Sequence, residues 1–186
     1  DAALAEREAA AALAGPAAAL DARRGALTRL VRIRALRILG RPKDADDALA
    51  AMRTWAQRDG TPTARLHVSL ALAERSADDD AATAATRVAF EQALDQAEGE
   101  RIPADLMQVS RSYVGWLTRQ RDFPRASVVV EGITAWRDRD YDAALLHLRI
   151  FHALRNPAAW PPALEKARAL AGERVVPAEL TRAPET

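Results

Sequence analysis

Two copies of one short pattern start eighteen residues apart, Asp122-Phe123-Pro124-Arg125-Ala126 and Asp140-Tyr141-Asp142-Ala143-Ala144. Each follows an arginine, Arg121 or Arg139, and each opens an amphipathic run. An acid, an aromatic and an alanine three residues on are what a tight helix-to-helix turn needs. The carboxylate accepts from the free N–H groups of the new helix. The ring fills the gap between two helices, and the small side chain lets them approach. The spacing equals one helix plus one turn, half of a helical-hairpin repeat of about 34 to 36 residues. These features constrain the chain to stacked helical pairs.

Composition agrees with an all-α fold. Alanine dominates the 49% hydrophobic content, aromatics are 5%, and the 8 glycines and 10 prolines fall mostly between periodic segments. Alanine has the highest helix propensity. A chain of 186 residues is long enough to bury a real core. With 27 Lys and Arg against 26 Asp and Glu the net charge is +1, so no global field favours nucleic acid. Almost all the basic charge is arginine, and abundant Arg and Ala can reflect a GC-rich genome rather than chemistry. Cysteine is absent, which removes disulfides, thiolate nucleophiles and Cys-based metal sites and suits cytoplasm or an oxidising compartment equally. No apolar run reaches the 18 residues of a membrane span, so this segment is not expected to insert into a membrane. The chain opens inside a helical pattern, and we read it as a domain of a larger, bacterial-type polypeptide.

Turn signals divide the sequence into eight or nine helices. The first stops near Gly15-Pro16, and a long second covers 17–39 with Gly25 as a weak point. Gly40-Arg41-Pro42, Asp59-Gly60 and Thr61-Pro62 mark the next boundaries, the last as an N-cap with proline at the first helical position. Asp78-Asp79-Asp80 precedes a fifth helix. Adjacent carboxylates diverge and lack the glycine and glutamate of a calcium loop, so they read as a cap rather than a metal site. Gly99 to Pro103 is a polar connection. Helices six, seven and eight carry Leu106–Leu117, Val128–Trp136 and Leu145–Leu154, and Asn156-Pro157 stops the eighth. Trp160-Pro161-Pro162 leads into a ninth. We expect one helical domain over 1–172 and a tail, 173–186, that docks through Val175, Val176 and Leu180 before fraying.

The pattern resembles the tetratricopeptide repeat (TPR). Tyr141, Ala144 and Leu148 match the start of that family's second helix, with Gly132 at the small position of the first. Phe123, Ala126 and Val130 match equally, with Val114 and the adjacent Gly115 upstream. Ala45, Ala48 and Met52 match without the aromatic. Both good matches share the seventh helix, so the repeats are degenerate, and the resemblance covers about 107–156. It implies a TPR-like α-solenoid of antiparallel helical hairpins whose groove holds a partner by complementarity.

The basic stretch between Asp21 and Asp44 holds Arg23, Arg24, Arg29, Arg32, Arg34, Arg37, Arg41 and Lys43 without an acid. Arg34, Arg37 and Arg41 share a stripe that would suit an acidic peptide or phosphate. The competing reading is a solvated face paired with Asp44, Asp46 and Asp47. No aromatic is interleaved to stack bases. In the repeat register the groove-facing positions are Gln108, Arg111, Gly115, Thr118 and Arg119 of helix six, Ile33, Arg37 and Arg41 of helix two, and Ser69 and Ala73 of helix four. Arginines there suit carboxylates. The four tryptophans lie at helical spacing among Leu and Val and read mostly as core, with Trp136 and Trp160 the better interface candidates. His67, His147 and His152 lack metal-ligand spacing, and no nucleophile elbow or phosphate loop is present.

The expected function is therefore a non-catalytic, cofactor-free interaction domain that binds an acidic peptide or partner helix through Arg37, Arg41, Arg111, Arg119 and Trp136. One alternative is a regulatory domain of a membrane-anchored transcription regulator or kinase, acting by ligand binding or self-association. Another is a small-ligand or nucleic-acid binder using the basic helix.

Overall fold

Most helices begin where the sequence offers a cap or a proline, and several end at a left-handed residue. A computed structural model describes residues 1–15, 21–78 and 83–184, and among them the regular structure is helical, with no strand. The α-helices are α1 (Ala2–Ala14), α2 (Ala22–Ile38), α3 (Pro42–Asp59), α4 (Pro62–Ser76), α5 (Thr83–Glu100), α6 (Pro103–Arg119), α7 (Phe123–Glu131), α8 (Tyr141–Ala153) and α9 (Trp160–Ala171). The described residues also include the 3-10 turns Thr134–Trp136 and Ala178–Leu180. Residues 16–20, where a long second helix was expected to begin, and Asp79 and Asp80 of the expected acidic cap lie outside the described residues.

The two copies of the opening motif act as caps. Asp122 accepts from Arg125 N–H (3.2 Å) and Asp140 from Ala143 N–H (2.9 Å). Ala126 and Ala144 are buried at the helix contacts, and Tyr141 is buried while Phe123 is half-buried. Thr61 caps α4 through Ala64 N–H (3.2 Å) with Pro62 at the first position. At the other ends, Gly40, Gly60, Arg101, Arg121 and Arg155 have positive φ. Around Gly40, Arg121 and Arg155 the bonds form Schellman motifs: Arg41 N–H to Leu36 O (2.9 Å), Asp122 N–H to Leu117 O (2.9 Å) and Asn156 N–H to Phe151 O (3.0 Å).

The seventh helix is shorter than its pattern predicts. It ends at Glu131 with Gly132 as C-cap, and Ile133 and Trp136 belong to the turn that follows. Gly132 costs about 1 kcal/mol relative to alanine inside a helix, and leaving the helix there lets Ile133 bury completely. Gly132 therefore stands at a helix end and not mid-helix, where the repeat resemblance puts it.

The chain forms two compact units, Asp1–Glu100 and Arg101–Thr186, and the division falls in the polar connection between Gly99 and Pro103. In the first, α2 packs against α1, α3 and α4, α3 against α4, and α4 against α5. Leu30, Ile33, Leu36, Met52, Leu66, Leu70 and Phe90 fill this core. In the second, α6 packs against α7 and α8, α7 against α8, and α8 against α9. Tyr113, Leu117, Ile133, Leu148 and Ile150 form its centre. The tail docks within this unit. Val176 and Leu180 join the cluster of α8 and α9, Tyr141 OH donates to Val175 O (3.1 Å) and Trp160 Nε1 to Leu180 O (3.0 Å). The Val175 side chain itself points to solvent.

Candidate binding cleft of the second unit

The side chains of α6 that face away from the core meet the turn after α7 and the start of α8. Between them lies a cleft of about 380 Å³ lined by Met107, Gln108, Arg111, Trp136, Asp140 and Asp142, among others. The volume falls at the lower end of the range of small-ligand and peptide-anchor pockets. Met107, Gln108 and Arg111 lie within one turn of α6, the spacing that puts three and four residues apart on one face.

Trp136 reaches the cleft because a buried histidine holds its turn. His147 in α8 is 3% exposed. Its Nδ1 lies 2.8 Å from Ala143 O and its Nε2 3.2 Å from Thr134 Oγ1. A carbonyl only accepts, so Nδ1 carries the proton, and in the neutral ring Nε2 accepts from the threonine hydroxyl. Burial pushes the imidazole below its ordinary value, against the Ala143 bond; Arg137 lowers it further and Asp138 raises it.

The charges of the cleft differ in availability. Asp140 is committed to the cap of α8. Arg111 is exposed, and among the described residues no ion pair joins it or Asp142. The cleft thus offers a free guanidinium, a free carboxylate, an aromatic ring and a thioether. Gln108, Arg111 and Trp136 were singled out by sequence; Met107 and Asp142 were not, although Asp142 lies inside the repeated motif.

The other sequence candidates are placed elsewhere. Arg119 is exposed on the last turn of α6 and does not line the cleft. Arg37 and Arg41 belong to the first unit, where the basic stretch is largely paired internally. Arg32 bonds Glu6 (3.3 Å), Arg34 grips Glu74 with two bonds (2.5 and 3.0 Å), Arg37 pairs with Asp78 (3.3 Å) and Arg41 with Asp44 (2.6 Å). Asp46 pairs with Arg75 instead of an arginine of α2. Ile33 and Ala73, placed in the groove by the repeat register, are fully buried. Trp116 is core, Trp160 anchors the tail, and Trp55 lies beneath the guanidinium of Arg29 at 4.2 Å.

Among the described residues no helix is long and apolar enough to cross a membrane. Comparison with protein families, curated proteins and solved structures returns no match to this chain.

Proposed function

We propose that the protein is a TPR-like scaffold of helical hairpins that binds a peptide segment of a partner protein in the cleft of its second unit, by complementarity and without catalysis. The observation that carries this reading is the convergence of Arg111 and Trp136 on one cleft. A rigid aromatic and an arginine are the residue types that dominate binding energy at protein interfaces. The neighbour pattern of the helices lends further support. In both units one helix packs on the next two and the third helix on a fourth, as stacked hairpins do.

The guest is a short segment carrying one carboxylate for Arg111 beside an apolar side chain for Trp136 and Met107. Residues 101–186 hold thirteen Lys and Arg against ten Asp and Glu, a field that favours an acidic segment. Asp142 in the lining disfavours a run of acids, so an isolated acid in an apolar context fits better than a polyacidic stretch.

Peptide display against the protein tests this. Enriched sequences should share an acid next to a large apolar residue. Arg111→Glu should weaken them at least tenfold, with recovery when the peptide acid becomes lysine, and Trp136→Ala should weaken them comparably. Enrichment without an acid, or equal binding to Arg111→Glu, would exclude the reading.

A further inference from the structure

The first unit contains a larger cavity, about 540 Å³, whose lining includes Arg29 and Arg32 of α2, Trp55, Met52 and Arg58 of α3, and Leu13 of α1. Three guanidiniums line one apolar-floored cavity, and none of the three is held by a carboxylate fork. Arg29 is fixed by other means: its Nη1 donates to Gly25 O (3.0 Å) and its guanidinium lies over the Trp55 ring. Its pKa is lowered by partial burial, and Asp59 only partly opposes this. Arg32 spends its Nε on Glu6 (3.3 Å). Arg58 is exposed and makes no ion pair among the described residues. Asp59, also in the lining, is committed to Thr61, whose N–H and hydroxyl it accepts (3.2 and 2.5 Å). Even with Glu6 included, three cations face two carboxylates.

We propose that this cavity binds a small amphipathic monocarboxylate, its carboxylate held among Arg29, Arg32 and Arg58 and its apolar body against Trp55 and Leu13. The chemistry selects this class. A guanidinium offers paired N–H donors that match a carboxylate, and a cation already ordered on a ring and a carbonyl loses little freedom on binding. Nη1 of Arg29 and Nε of Arg32 are already engaged, and Asp59 adds a negative charge. Both facts disfavour a multiply charged phosphate. Leu13 and Trp55 are half-buried and offer apolar surface to the cavity, which a purely polar anion would leave unused, while the fully buried Met52 lies beneath them.

The probe is 4-phenylbutyrate, titrated into the 15N-labelled protein and followed by amide and indole shifts, with 4-phenylbutylamine as the matched cation. Saturable shifts should concentrate on Leu13, Met52 and the Trp55 indole N–H, and the amine should produce none. Arg29→Gln should weaken the acid at least tenfold. Arg58→Gln, on an exposed helix face where folding is not at stake, should weaken it at least threefold. Absence of saturable shifts at these residues, equal shifts with the amine, or unchanged affinity in folded Arg58→Gln would overturn the proposal.

Discussion

Arg37 and Arg41 lie four residues apart in one basic stretch, yet their side chains are 15% and 49% exposed. Burial lowers the pKa of Arg37, and the carboxylates of Asp78, Glu74 and Asp46 oppose that shift while Arg75 adds to it. A glutamate there would be partly desolvated among the same carboxylates. Arg37→Glu should therefore cost about 2 kcal/mol, less than the loss of a fully buried pair because Asp78 is half exposed. Arg41→Glu loses only a solvent-screened pair and should stay within about 1 kcal/mol. Urea denaturation checks both, and equal losses would show that burial does not distinguish them. His147 makes a pH prediction. Its folded-state pKa is depressed, so the unfolded chain binds more protons between that pKa and the ordinary value of about 6.5. Stability is fully present above about 6.5 and falls as pH drops through that window. In His147→Gln this component of the acid destabilisation should disappear, and Trp136 fluorescence should report loosening of its turn in the parent protein only.

At the scale of the element, left-handed residues govern how the helices end. Gly40 meets no strain at φ 68°, because it has no Cβ to clash with the following carbonyl. Arg121 and Arg155 adopt φ 59° and 52° in the same motif and carry that cost. Arg155→Gly should raise stability by about 0.5–1 kcal/mol, and Gly40→Ala should lower it by a similar amount. Thermal denaturation with opposite shifts in Tm would establish the point. A fall for Arg155→Gly would mean that the arginine side chain contributes more than its backbone strain costs. The first copy of the repeated motif is thus half of a junction, in which left-handed Arg121 closes one helix and Asp122 caps the next; before the second copy, a 3-10 turn takes the place of the left-handed residue.

For the whole molecule, each unit buries its own apolar core, one around Leu30, Leu36, Met52 and Phe90, the other around Tyr113, Leu117, Leu148 and Ile150. Residues 101–186, with the docked tail, should therefore keep helical circular dichroism and melt cooperatively when produced alone. A non-cooperative melt would show that its core is incomplete. Helix number, most boundaries and the all-α class were legible in the sequence, because caps, prolines and left-handed turns act within a few residues of themselves. The early end of α7 was not, since it depends on Ile133 reaching a buried site formed by other helices. The cleft was half legible. Helical spacing put Gln108 and Arg111 on one face, but bringing them to Trp136 required the turn that His147 holds. The arginines of α2 divide along the same line. Their number is a property of the sequence, whereas the partner of each, Glu6, Glu74, Asp78 or the ring of Trp55, was decided by packing. The energy of a charge depends on the solvent and countercharges around it, and only the tertiary structure supplies those.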